Sequence, residues 1–149
     1  MRPTYAILTL AALLASNQGL SAPLSNPAIE AALKTEVDAQ ENVDLQAIIE
    51  ADLDAGFPGK EKVVLWTLLG PTYWSGKLSV MSGQTGQWSA IVTLDLGGVE
   101  PKSGTLTVAP DGVISLDAKT PGPDDPICCP SQQKNLKYRY GHGQLIEVK

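Results

Sequence analysis

The sequence predicts an α+β fold that is mostly β, with one N-terminal helix followed by an antiparallel meander of about six to eight strands. Two periodic patterns support this prediction. Apolar residues recur at spacings of three and four within residues 27–38, which is the period of a helix. From Lys62 onward they alternate with polar residues, as in half-buried strands. Glycine and proline separate the alternating segments, which is typical of consecutive hairpins.

The predicted helix has a recognisable start. Asn26 can cap it, and Pro27 suits the first helical position because proline lacks the N–H that would be unpaired there. We therefore expect a helix over about residues 27–38. Residues 43–53 fit either a helix or a strand, and strands are expected from about residue 47 to residue 148. The clearest hairpin turns are at residues 83–86, 110–112 and 141–143.

Residues 1–22 have the order of a secretory signal peptide. Arg2 precedes a mostly apolar stretch, 6–15, and small residues follow at 19–22. The alternative is an amphipathic or buried N-terminal helix. The stretch is too short to span a bilayer, which takes about 18 residues or more. We expect cleavage near Ser21 or Ala22, which leaves a single domain, 23–149, in a secreted or periplasmic protein.

The charge balance limits the partners of this domain. The chain has 11 Lys+Arg and 16 Asp+Glu, for a net charge of −5, and losing Arg2 with the signal peptide makes it −6. An acidic domain is repelled by phosphate backbones and by anionic lipids, so we do not expect nucleic acid or a membrane surface as a partner. No integral membrane segment is expected after cleavage.

Cys128 and Cys129 are the chain's two cysteines, and they are adjacent. In an oxidising compartment they can stay reduced, bridge two chains or join each other. Adjacent Cα atoms are ~3.8 Å apart, below the usual disulfide separation of ~4.4–6.8 Å, so a vicinal disulfide needs a distorted backbone. Pro126 and Pro130 stiffen both sides and can hold such a turn, so we favour the vicinal disulfide. Two adjacent thiolates binding a soft metal is a further alternative.

A loop at residues 70–76 carries two aromatic residues, Tyr73 and Trp74. Exposed rings in a loop can stack on a sugar or a peptide, and we take these two as candidate ligand-binding residues. The alternative is that both rings only anchor the loop against the core.

An acidic segment resembles a degraded calcium loop. Asp52, Asp54 and Glu61 are its candidate calcium ligands, and a glycine supplies the turn. The EF-hand pattern needs an oxygen ligand at its fifth position and Glu at its twelfth, where this chain has Gly56 and Val63. A polar turn between two strands is therefore the alternative, and no cofactor is expected.

Several segments together resemble a family of small secreted bacterial proteins that includes the mycobacterial LppP/LprE lipoproteins. The resemblance covers about residues 47–148. Its most specific part is Cys-Cys-Pro-Ser at 128–131, within the segment 125–131. The other similar segments are 51–54, 62–67, 138–140 and 144–147. It implies an extracytoplasmic domain without a known reaction, and it favours a strand at 47–53. The family's lipid-anchor cysteine is absent here, and Phe57-Pro58 interrupts the acidic turn.

Two functions are compatible with these patterns. The first is a non-catalytic binding module of the bacterial cell envelope, whose partner is an envelope protein or a polysaccharide. The second is a thiol- or redox-responsive protein that opens and closes the Cys128–Cys129 bond. An enzyme is disfavoured because no acid/base constellation is visible, and the single histidine, His142, lies between two glycines of a turn.

Overall fold

The computed structural model describes residues 24–53, 59–84, 86–126 and 128–149, so the predicted signal peptide, 1–22, lies outside the described residues. Within these ranges the chain is mostly β with one short helix, which confirms the predicted class at this level. The elements are α1 (Pro27–Lys34), β1 (Asn42–Ala51), β2 (Glu61–Leu69), β3 (Trp74–Gln84), β4 (Gln87–Gly97), β5 (Glu100–Pro101), β6 (Thr107–Val108), β7 (Val113–Thr120), β8 (Gln132–Gly141) and β9 (Gln144–Glu147).

Helix α1 begins where the sequence predicts. Asn26 Oδ1 accepts a hydrogen bond from the Ile29 N–H at 3.2 Å, and Glu30 Oε1 accepts one from the Asn26 N–H at 3.2 Å. This reciprocal cap satisfies amide donors that the first helical turn leaves free. The helix ends at Lys34, earlier than the predicted residue 38. Thr35 closes it, because its hydroxyl and its N–H both donate to a carbonyl of the last turn.

The strands form two antiparallel sheets rather than one meander. The first sheet has the order β1–β2–β3–β4, and the second has the order β5–β7–β8–β9, with β6 also paired to β7. The described residues contain nine strands, more than predicted, because two very short strands share one edge of β7. The chain leaves the first sheet after Gly97 and enters the second at Glu100. Strand count and sheet arrangement therefore differ from the prediction.

Residues 42–51 form a strand, which begins before the predicted start near residue 47. Its register against β2 shifts between Leu45 and Ala47, the sign of a bulge. A bulge interrupts the alternation of faces along a strand. Consequently Leu45 and Ile48, three residues apart, both pack toward the helix, whereas Ala47 and Ile49 pack between the sheets. This local break explains why the sequence of 43–53 fits a helix as well as a strand.

The core has two parts, one on each face of the first sheet. Between the sheets, side chains such as Val63 and Leu65 of β2 pack against Ile114 and Leu116 of β7. On the other face, α1 covers a second cluster; its buried members are Ile29, Leu33, Leu45, Val64, Trp66, Leu68 and Met81. Strand β2 is thus buried on both faces, which accounts for its continuous apolar sequence.

A chain of polar contacts connects the segment after α1 to the first sheet. Trp66 Nε1–H donates to Ser79 Oγ at 2.8 Å, and Ser79 Oγ lies 2.8 Å from Thr93 Oγ1. Thr93 Oγ1 in turn donates to Glu36 Oε2 at 2.9 Å. Trp66 and Ser79 are fully buried, so their hydrogen bond satisfies polar atoms that water cannot reach.

Candidate binding site

The cysteine pair lies in the connection between β7 and β8, residues 121–131, which we call the Cys loop. Cys128 and Cys129 form a disulfide with each other, and their Cα atoms are 3.8 Å apart. Both cysteines are exposed, whereas the following Pro130 is buried. The Cys129 N–H donates to the Pro126 carbonyl at 3.0 Å, which closes a tight turn around the pair. The disulfide is therefore displayed at the surface of a loop that folds back on itself.

Asp125 closes the base of the Cys loop. Its Oδ2 accepts hydrogen bonds from the Gly122 N–H at 2.7 Å and the Ser131 N–H at 2.8 Å, and its Oδ1 accepts one from Ser131 Oγ at 2.9 Å. These donors, the Gly122 amide first, hold the pKa of the Asp125 carboxyl below its usual value. A Cβ on Gly122 would lie 3.2 Å from Asp125 Oδ2, so the close approach favours glycine. One carboxylate thus connects the two ends of the loop.

The aromatic turn, residues 70–74, joins β2 to β3. The Gly70 N–H donates to the Tyr73 carbonyl at 2.9 Å, and the half-exposed Tyr73 ring covers Gly70 so closely that a Cβ there would overlap the ring. The Tyr73 hydroxyl donates to Glu41 Oε1. This bond raises the pKa of Tyr73 and lowers the pKa of Glu41. Trp74 is half-buried and begins β3 opposite Leu69. Tyr73 is therefore the more accessible ring.

The aromatic turn and the Cys loop lie at the same end of the two sheets, which we call the Cys-loop end. Strand β3 begins directly after the aromatic turn, and its Gly76 pairs with Gly97 at the end of β4. Two residues connect β4 to β5, where Glu100 pairs with Lys119. Lys119 is followed by Thr120, the last residue before the Cys loop. Strand pairing thus places two segments that are distant in sequence at the same end of the sheets.

Asp95 forms another charged network at this end. It accepts hydrogen bonds from Lys77 Nζ at 2.7 Å, from Ser75 Oγ at 2.6 Å and from the Gly97 N–H at 2.7 Å. Partial burial raises the pKa of Asp95, but these three donors together outweigh it and lower the pKa to about 2. The network joins β3 to β4 beside the connection that leads to the second sheet.

Two of the predicted calcium ligands, Asp52 and Glu61, lie at the opposite end of the first sheet, where β1 ends and β2 begins. Asp54 lies outside the described residues. Asp52 is exposed, while Glu61 is buried and its Oε2 accepts a hydrogen bond from the Leu53 N–H at 2.9 Å. Glu61 Oε1 is buried and has no hydrogen-bond partner in the described part of the chain. No group of three or more His, Cys, Asp or Glu that could hold a metal ion occurs there either, so the calcium site stays a prediction.

His142 lies at the far end of β8 from the Cys loop. It occupies the turn between β8 and β9 with φ +51°, followed by Gly143 at φ +72°. Strand β8 has 10 residues, which corresponds to about 30 Å at ~3.3 Å per residue. The structure therefore does not bring His142 to the cysteines, and it places the histidine in a hairpin turn, as expected.

Two residues that shape this end were missed by sequence reasoning, Asp125 and Glu41. Glu41 is 32 residues from its partner Tyr73, and no local pattern connects them. Asp125 is nearer to its partner, six residues from Ser131. An aspartate and a serine at the two ends of a proline-rich segment are the only indication of this contact that the sequence contains.

Comparisons with known proteins find no match. A scan against protein-family models, a search of curated proteins and a search of solved structures each return no significant similarity. In the described part of the chain, no helix has both the length and the apolar character needed to cross a membrane.

Proposed function

We propose that this chain is a secreted or periplasmic, non-catalytic binding module of the bacterial cell envelope, whose partner docks at the Cys-loop end. One observation carries the proposal: both exposed segments at this end are held by a carboxylate, the aromatic turn by Glu41 and the Cys loop by Asp125. A loop that is ordered before binding loses less conformational entropy when the partner arrives. Two pre-ordered loops at one end are therefore suited to recognition.

The export of the chain is part of the same proposal. The apolar stretch at 6–15, with Arg2 before it and small residues after it, supports a signal peptide. An exposed disulfide persists in oxidising compartments and is rare where thiols are kept reduced, so the Cys128–Cys129 bond supports the same location. The proposed relationship to the LppP/LprE lipoproteins agrees with an extracytoplasmic site.

A wall polysaccharide is the partner that the chemistry favours over an envelope protein. The exposed side of Tyr73 faces a groove of about 450 Å³ that is lined by carboxylates and an amide, among them Asp38, Glu41 and Gln40. An aromatic ring beside hydrogen-bond acceptors can stack on the apolar face of a sugar while the acceptors bind its hydroxyls. The net negative charge at this groove disfavours nucleic acid.

Cosedimentation with purified peptidoglycan sacculi tests the proposal on the oxidised, secreted protein. Asp125→Ala should reduce retention because the Cys loop loses its closure, while Asp124→Ala removes the same charge from an exposed neighbour and should retain binding. Tyr73→Ala should also reduce retention. If the sacculi retain neither the parent nor any variant, crosslinking to envelope proteins would identify a protein partner instead. Equal retention of the parent and all three variants would refute the site.

A thiol- or redox-responsive function is the second candidate, and the exposure of both cysteines favours it. A small dithiol reductant can reach the bond from solvent. It would break the Cys128–Cys129 bond by delivering two electrons and two protons, producing two thiols while the reductant becomes a disulfide. Opening the bond would release the turn that the Cys129 N–H now closes.

Thiol titration before and after mild dithiol treatment distinguishes the two functions. A redox-responsive protein should expose two thiols per chain and change its retention on sacculi while its circular dichroism stays the same. The Cys128→Ser/Cys129→Ser variant should then behave like the reduced protein. Unchanged retention in both the reduced protein and the variant would exclude the redox function and leave the binding function intact.

A further inference from the structure

A groove of about 570 Å³ lies on the second sheet, next to the two strand ends that the Cys loop connects. Its volume falls within the range of small-molecule sites, roughly 300–1,000 Å³. It is formed where β5, β7 and β8 lie side by side. Lys119 and Gln133, which pair across β7 and β8, lie directly below the Thr120–Gln132 pair that brackets the Cys loop.

Cross-strand pairing arranges the lining side chains in two rows. Glu100 pairs with Lys119 and Lys119 pairs with Gln133, which makes the first row. Asp117 pairs with Asn135, and its carbonyl accepts a hydrogen bond from the Lys102 N–H at 2.8 Å, which makes the second row. Both rows face away from the core, because the alternating residues of β7 are buried between the sheets.

Some charged side chains of the groove have a partner and others do not. Glu100 is paired with Lys119 at 3.4 Å, and Asp117 Oδ1 accepts a hydrogen bond from Asn135 Nδ2 at 2.8 Å. Both carboxylates thus already have a partner. The Lys102 ammonium has no ion pair or hydrogen bond in the described part of the chain, although it lies in the same groove. Lys134 also lines the groove and likewise has no ion pair among the described residues, so two unpaired ammonium groups remain in the groove of an acidic protein.

Neutral polar groups line the same groove. The Ser103 hydroxyl and the Gln133 amide line the groove, and neither makes a side-chain hydrogen bond within the described ranges. A hydroxyl and an amide can each donate and accept, so they suit sugar hydroxyls, and the unpaired lysines suit an anionic group. We propose that the groove binds a small acidic sugar whose carboxylate or phosphate pairs with Lys102. The groove borders the Cys-loop end, but its lining includes no residue of the Cys loop or the aromatic turn, so binding there does not depend on the proposed docking.

A titration followed by amide NMR tests the inference on the full oxidised protein. The probes are glucuronate, glucose phosphate and neutral glucose at low ionic strength. Binding of glucuronate or glucose phosphate should shift the amide signals of residues 100–103, 117–119 and 133–135. Whichever of these two probes binds more tightly identifies the anionic group of the ligand as a carboxylate or a phosphate. Added salt should weaken that binding because it screens the pairing with Lys102. Glucose binding as tightly as both anions, or no groove shifts with any probe, would overturn the inference.

Two lysine variants provide the matched comparison. Lys102→Gln should weaken binding of the preferred anion about tenfold, the scale of one charge-assisted hydrogen bond. Lys137→Gln removes the same charge from an exposed position of β8 outside the groove, so it should weaken binding less than about twofold. Equal weakening by both variants would show that only the overall charge matters and would contradict the site. The unliganded amide spectra report whether each variant is folded.

Discussion

Replacing Ser79 with alanine removes one acceptor from the polar chain beneath α1. Trp66 Nε1–H donates to Ser79 Oγ at 2.8 Å, and the side chains of both residues are fully buried. A buried donor left without a partner costs about 1–3 kcal/mol. We therefore expect Ser79→Ala to lower the free energy of unfolding by about 2 kcal/mol, a large part of the roughly 5–15 kcal/mol of a typical domain.

Urea unfolding monitored by tryptophan fluorescence measures this change, and two controls identify its cause. Ser82→Ala makes the same substitution at a half-buried position of the same strand. Its side chain makes no hydrogen bond within the part of the chain that the structure describes, so the change should cost less than about 0.5 kcal/mol. In a Trp66→Phe background the donor is gone and only the contact with Thr93 is lost, so Ser79→Ala should then cost about 1 kcal/mol less than in the parent. An equal cost of Ser79→Ala in both backgrounds would refute the hydrogen-bond explanation.

Three further substitutions probe other contacts. Asp95→Asn should reduce the loss of stability in acid: the folded pKa of about 2 lies below the unfolded value of about 3.9, so the carboxylate stabilises the fold above about pH 4 and stops doing so toward pH 2. Because the Asp95 carboxylate is largely exposed, it contributes less than about 1 kcal/mol to the free energy of unfolding. Identical acid unfolding of the parent and Asp95→Asn would contradict this prediction. His142→Asn should raise the free energy of unfolding by about 0.5 kcal/mol, since Asn-Gly suits a turn with two positive φ angles; an unchanged or lower Tm would argue against this. Gly83→Ala should cost about 2 kcal/mol or more because its Cβ would overlap the Gln87 carbonyl oxygen. Gly141→Ala is its control, because a Cβ at Gly141 would meet no atom of the described residues within 4 Å; it should change stability by less than about 0.5 kcal/mol in the same urea assay.

The parts of the fold that depend only on residues close together in the sequence could be predicted. The start of α1 follows from Asn26 and Pro27, which act on the first helical turn alone. The turns at 83–86, 110–112 and 141–143 connect antiparallel strand pairs, as their glycines indicate. The mostly β class follows from the same alternating segments.

The division into two sheets could not be predicted in this way. Alternation shows that a segment is a strand, but it does not show which strand it pairs with. The short connection after Gly97 sends the chain into the second sheet, and it has no sequence feature that separates it from an ordinary hairpin turn. The bulge at Leu45 likewise depends on the register against β2, which is a non-local property.

The candidate site was only half visible in the sequence. Adjacent cysteines and a loop with Tyr73 can be read directly, because their chemistry belongs to the residues themselves. The closure by Asp125 and the contact with Glu41 depend on how the loops fold, and the shared end of the molecule depends on strand pairing. Those features determine that the two segments are pre-ordered and lie at the same end of the sheets.

Mapping the bound surface tests the proposed docking end most directly. Soluble peptidoglycan fragments would be titrated into the oxidised protein while its assigned amide signals are followed by NMR. We predict that the largest shifts occur in residues 71–74 and in the Cys loop around Asp125, and that Asp125→Ala weakens them while Asp124→Ala does not. Shifts centred instead on the turns at Asp111 and His142, at the opposite end of the sheets, would contradict the proposed binding surface.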